Sequence, residues 1–102
     1  MSASAKSPVQ AESAGLDRQR IDKWLWHARM VRTRSAAAAL TAAGHVRVNG
    51  ARVTAASHPL RTGDVVTLAL TSSVRLVRVE GFCERRGDAG AARALYRMLP
   101  VK

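Results

Sequence analysis

At 102 residues the chain has room for one modest core and none for a separate catalytic domain. Its 17 Lys and Arg, 14 of them Arg, stand against 7 Asp and Glu, and the resulting formal charge of +10 makes an anionic polymer the default partner. The longest apolar run of the helical region, "AAAAL", falls far short of the roughly 20 residues that span a bilayer, so no membrane partner is expected.

Residues 1–16 are rich in Ala and Ser and lack the apolar block of a secretory signal, so a disordered tail is expected there. From Asp17 onward, "DRQRIDKWLWHARM" sets Ile21, Trp24, Leu25 and Ala28 at i, i+3, i+4 and i+7, which predicts an amphipathic helix with Asp17 as its N-cap. Arg20, Lys23 and His27 fall on one flank of that stripe, and Arg18, Asp22 and Arg29 on the other. Asp22 is placed to orient an arginine from the far flank or from the next helix. Trp26 points away from the stripe, where it either stacks on an unpaired base or packs under the C-terminal segment.

A second helix is predicted from Thr33 as N-cap to just before Gly44, with an interior of nearly all alanine. Its start is unusual: Arg32 and Arg34 sit where the helix dipole favours carboxylates. In "HVRVNGARVT", Asn49-Gly50 between alternating runs predicts a two-residue hairpin with Val48 facing Ala51, Arg47 facing Arg52 and Val46 facing Val53. Two arginines directly opposed across strands cost about 0.2–1 kcal/mol. Asn49 and Gly50 serve the turn geometry, with close approach of backbone to a bound polymer as an added role.

"HPLRTGDVVTLAL" then supplies a turn and a strand near Val65 to Leu70, and "VRLVRVEGF" another strand. In "ERRGDAGAARALYRML", Ala92, Leu95, Tyr96 and Leu99 recur at helical spacing, which predicts a short terminal helix. The expected architecture is α+β, two N-terminal helices on a small, mostly antiparallel sheet. Residues 17–70 would form the binding domain and residues 71–102 a C-terminal strand and short helical extension. Cys83 is the single cysteine, and with His27, His45 and His58 it shows no metal-ligand spacing. No metal, no cofactor and a cytoplasmic setting are therefore expected.

Between Arg18 and Arg52 lie eight basic residues, Arg18, Arg20, Lys23, Arg29, Arg32, Arg34, Arg47 and Arg52, against one acid, Asp22. The helix start and the hairpin are both unfavourable in the free protein, and a bound phosphate reverses both, because free N–H groups and flanking guanidiniums then act together. The competing explanation is the surface arginine that GC-rich coding leaves behind.

"RIDKWLWHARMVRTRSAAAALTAAGHVRVNG" followed by "HPLRTGDVVTL" resembles the S4-type RNA-binding domain, or αL motif, over about half of the chain. The "RIDKWLW" start, the R-x-x-R-T-R junction and a later "ERR" with an Ala-Leu-Tyr segment resemble the ribosome-associated heat-shock protein 15 family. Members of that family often carry a longer basic C-terminal extension. The resemblance implies a non-enzymatic, heat-shock-linked RNA-binding protein that recognises rRNA on free large ribosomal subunits carrying a nascent chain on tRNA. The RNA-facing residues it implies are Arg20, Lys23, Arg29, Arg32, Thr33, Arg34, Arg47, Asn49, Gly50 and Arg52, beside Arg18 from the charge pattern. A monomer is expected.

Three rival functions separate on the same residues. A helix-turn-helix reader of DNA needs Arg, Asn or Gln on its second helix facing the major groove, and "AAAALTAA" offers none, although nonspecific DNA contact through phosphates stays open. An RNA-modifying enzyme needs a catalytic domain, and no general base stands beside a nucleophile here. A structural ribosomal protein is the nearest alternative.

Overall fold

The computed structural model describes residues 17–101, and the tail expected at 1–16 lies outside them. In chain order come β1 (Arg18–Arg20), α1 (Ile21–His27), α2 (Arg34–Ala42), β2 (Val46–Val48), β3 (Ala51–Val53), β4 (Pro59–Arg61), β5 (Val65–Ala69), β6 (Val74–Val79), α3 (Ala89–Arg93) and β7 (Tyr96–Leu99). β1 pairs with β4, and a five-stranded sheet runs in the order β3-β2-β5-β6-β7. Every pairing is antiparallel, so the fold is α+β as expected.

The apolar stripe of α1 is buried in full: Ile21, Trp24 and Leu25 have no exposed surface and Ala28 has 1%. It packs with Ala37 of α2 against Val46, Val66, Leu68, Val77 and Val79, which alternate onto one face of the sheet. Each such side chain contributes about 1.5–3 kcal/mol on burial. The Trp24 indole Nε1 donates to Gly81 O at 3.0 Å, which satisfies its polar edge and ties α1 to the chain leaving β6.

The start of α1 differs from expectation. Asp17 does not cap it; Arg20 occupies the N-cap with ψ 141° and makes no side-chain cap. The loop after β3 does that work, since Ile21 N donates to His58 O at 2.8 Å and Asp22 N to Ala56 O at 3.2 Å. With those donors satisfied from outside, residues 18–20 are free to extend and pair with β4.

α1 ends in a Schellman motif, with Arg29 N donating to Trp26 O and Met30 N to Leu25 O. The left-handed residue it requires is Arg29, at φ 60°. α2 keeps its predicted ends: the Thr33 hydroxyl accepts from Ala36 N at 2.9 Å, and Gly44, at φ 85°, closes a second Schellman motif. The hairpin register is the predicted one, with Asn49 at φ 53° and Gly50 at φ 87° in the turn.

The terminal segment departs further. Only Ala89–Arg93 is helical, capped by the Asp88 carboxylate, and Tyr96–Leu99 is a strand rather than helix. Its backbone pairs with β6 as Leu76↔Leu99, Val77↔Met98, Arg78↔Arg97 and Val79↔Tyr96. A helix there would leave the far side of β6 without hydrogen-bond partners, and pairing satisfies both.

Candidate nucleic-acid interface

Asp22 organises the basic residues at the start of the two helices. Its carboxylate, 4% exposed, accepts from Arg20 Nε and Nη2 at 3.1 Å each and from Lys23 N at 2.7 Å. Arg34 Nε, at the first turn of α2, lies 3.5 Å from the same carboxylate. Burial by itself would raise the Asp22 pKa, but the Arg20 hydrogen bonds, the Arg34 charge and the Lys23 N–H outweigh it and hold the carboxylate below its ordinary 3.8. Asp22 thus orients arginines from both neighbours. One carboxylate shared by two guanidiniums leaves that corner positive.

Around this corner the other predicted residues are unequal. Arg32 is exposed beside the α2 N-terminus and Lys23 is half-buried on α1. Arg18 is exposed, 3.7 Å from Asp17, and lies opposite Arg61 across the β1–β4 pair. Arg61 therefore joins the basic surface. Thr33 spends its hydroxyl on the helix cap. Arg29 turns elsewhere, its Nη2 donating to Gly87 O at 2.8 Å, so it fastens the C-terminal segment.

The hairpin forms a second patch. Arg47 faces Arg52 across the strands, both exposed, and Arg47 Nη1 donates to Gly50 O at 3.3 Å. The Arg52 stem lies along Gly44, where an added Cβ would come 3.4 Å from its Cδ. Arg52 thus sits at the C-terminal end of α2, about 15 Å along the helix from Arg34. The Asn49 side chain is occupied: Nδ2 donates to Asp64 Oδ1 at 3.1 Å and Oδ1 accepts from Val65 N at 2.9 Å. Between the two patches runs a cleft of about 490 Å³ lined by Asn49, Arg52, Thr54, His58, Arg61 and Asp64. Its walls join the α1 corner to the hairpin through the β3–β4 loop.

The remaining reactive groups are quiet. His27 is buried, and because Cys83 O can only accept, the imidazole Nδ1 at 3.1 Å carries the proton. Burial, with the charges of Lys23, Arg34 and Arg86, lowers the His27 pKa against the raising effect of that hydrogen bond. Burial also raises the Cys83 pKa, and its thiol donates to Arg85 O at 2.9 Å. Trp26 packs under the C-terminal segment: the Arg86 guanidinium lies 5.4 Å over its ring and Arg86 Nε donates to Trp26 O at 3.1 Å. Among the described residues no cluster of three or more His, Cys, Asp or Glu could hold a metal, and no helix is long and apolar enough to cross a membrane.

Two helices braced by a capped Thr-Arg start, an Asn-Gly hairpin and an arginine-lined surface define an S4-type domain, and residues 19–66 match the S4 domain family. Heat shock protein 15 of Escherichia coli K12 is 36% identical over 77 residues, which cover 76% of this chain and 57% of that protein. The heat shock protein 15 homolog of Haemophilus influenzae is 32% identical over 77 residues, 76% of this chain and 58% of that one. The trimeric structure of Vibrio cholerae heat shock protein 15 superposes with a TM-score of 0.75 at 34% identity, covering 80% of this chain and 82% of that one. The chain belongs to the heat shock protein 15 family. It spans rather more than half the length of the curated relatives it matches, 57% of the Escherichia coli protein.

Proposed function

We propose that this protein binds ribosomal RNA through the surface that runs from the Arg20–Asp22–Arg34 corner past Arg18 and Arg61 to the hairpin arginines. The single observation behind this reading is the placing of like charges together: Arg47 opposite Arg52, Arg18 opposite Arg61, and Arg32 and Arg34 at a helix N-terminus. Each arrangement is unfavourable alone and favourable around a phosphate. Within the predicted set, Arg18, Arg20, Lys23, Arg32, Arg34, Arg47 and Arg52 contact RNA, while Arg29, Thr33, Asn49 and Gly50 set the shape of the surface. Residues 17–70 form the RNA-binding part and 71–102 an extension that buttresses it.

The family resemblance extends this to a particle. The protein acts in the cytoplasm on free large subunits that hold a stalled nascent chain on tRNA, as a heat-shock-linked recycling factor, by binding and without catalysis. It works as a monomer, which light scattering checks, a threefold larger mass being the contrary outcome. Co-sedimentation with separated small subunits, large subunits and intact ribosomes over a salt series tests the assignment. Five phosphate contacts give a log–log salt slope of about −3.5 to −4.5. Retention on free large subunits alone at physiological salt is expected. Equal, salt-labile retention on all three, or equal binding to duplex DNA, reduces the protein to a general cationic binder, and one copy on every ribosome makes it a structural component.

A further inference from the structure

The sheet has two faces, and only one is covered by helices. On the uncovered face the strand register sets Arg52, Arg47, Thr67, Leu76 and Leu99 in one row across all five strands, and Val65, Arg78 and Arg97 in the next. Arg78 and Arg97 therefore stand directly opposite each other on β6 and β7, both exposed, as Arg47 and Arg52 do on β2 and β3. The same unfavourable pairing occurs twice on one surface.

No carboxylate answers the second pair. Among the described residues neither Arg78 nor Arg97 has a carboxylate oxygen within 4.0 Å, Glu80 included, although alternation brings it to the same side just beyond β6. Asp64 spends its two oxygens on Asn49 Nδ2 and Arg61 N. Arg75, the other arginine of β6, points to the helical face, where its Nη1 meets Met30 Sδ at 3.8 Å. Leu76 and Leu99, half-buried beside the pair, reduce the water around it.

We propose that Arg78 and Arg97 form a second phosphate contact for the same RNA, on the uncovered sheet face and separate from the corner at Asp22. The inference rests on the RNA-binding reading. Two guanidiniums that repel each other across adjacent strands can close on one phosphate with forked hydrogen bonds. With strands about 4.8 Å apart, an RNA backbone that crosses from Arg52 on β3 to Arg97 on β7 spans about 19 Å. Engaging both ends of the face raises affinity through effective concentration, without new contacts at the helix corner.

The test is a salt titration of a short RNA hairpin and of purified large subunits against three proteins. These are the unaltered chain, Arg78→Gln with Arg97→Gln, and Arg85→Gln with Arg93→Gln, which removes the same charge from outside this face. The first double variant is expected to lose about tenfold in affinity at physiological salt and to flatten the log–log slope by about 0.7–0.9, the share of one phosphate. Its melting temperature should equal or exceed that of the unaltered protein, since a repulsive pair is gone. The control pair should stay within about twofold in affinity, with its slope nearly intact. If both double variants bind alike while the unaltered protein binds RNA, the second contact is overturned and the first surface stands. An unaltered protein that binds no RNA overturns both.

Discussion

Asp22 and His27 lie one and a half turns apart on α1 and both tie folding to pH, for opposite electrostatic reasons. Asp22 is an ion held charged by Arg20, Arg34 and the Lys23 amide, with its pKa lowered from 3.8. Its contribution is present above the unfolded value and is lost as pH falls through the lower folded value, so it vanishes only in strong acid. His27 is a base held neutral by burial, with its pKa lowered from 6.5. As pH drops below 6.5 the unfolded chain takes up a proton that the folded one refuses, so stability declines over mildly acidic pH. Replacing His27 by Gln should flatten the decline in stability as pH falls below about 6.5, as urea unfolding at each pH would show. Asp22→Asn leaves two half-exposed guanidiniums without their carboxylate, and at pH 7 should cost about 1–2 kcal/mol of unfolding free energy. The same substitution should also weaken RNA binding, because Arg20 and Arg34 lose the carboxylate that orients them. Equal or higher affinity would mean that removing the negative charge outweighs that orientation.

The elements differ in how openly the sequence announces them. Thr33, Gly44 and the Asn49-Gly50 turn were legible because each works on its immediate neighbours: a hydroxyl on an amide three residues on, and left-handed backbone at a fixed place. β1 was hidden because its partner, β4, lies some forty residues away and "RQR" has no strand preference of its own. The terminal strand was misread because Leu95 and Leu99 repeat at helical spacing, while the alternation of Tyr96, Arg97, Met98 and Leu99 gains meaning only when β6 lies alongside. The end of α1 was hidden for another reason, since a left-handed Arg29 is a conformation that side chains resist. Arg29→Gly and Arg29→Ala both lose the bond to Gly87 O, but only alanine keeps the strain. The glycine variant should be more stable than the alanine variant by about 1 kcal/mol, measurable by thermal melting.

For the whole molecule, the sequence showed which residues bear charge but not how they are shared out. Eight basic residues within one stretch proved to be two patches at opposite ends of α2, bridged by Arg61 and the β3–β4 loop, with Arg29 withdrawn to the C-terminal segment. Arg32 is the cleanest probe of the helix corner, since it is exposed whereas Arg34 is engaged with Asp22. Arg32→Ala should weaken RNA binding and reduce the salt slope by about 0.7–0.9, with unchanged or slightly raised thermal stability. Marked destabilisation with RNA affinity intact would assign that arginine to the fold.

The five-stranded sheet is open on both sides: it ends in β3 and β7, and each of these short edge strands has an arginine near its middle, Arg52 and Arg97. An open edge is a template on which another chain can add a strand, and a charged side chain set there makes that addition unfavourable. An arginine on each edge therefore disfavours pairing with the edge of a second copy. Arg97→Val, next to the exposed Met98, should leave the fold intact at room temperature and lower the temperature at which light scattering first rises. If the charge is neutralised by a phosphate instead, the RNA itself covers the face beside the edge, and the bound protein should resist heat aggregation better than the free one.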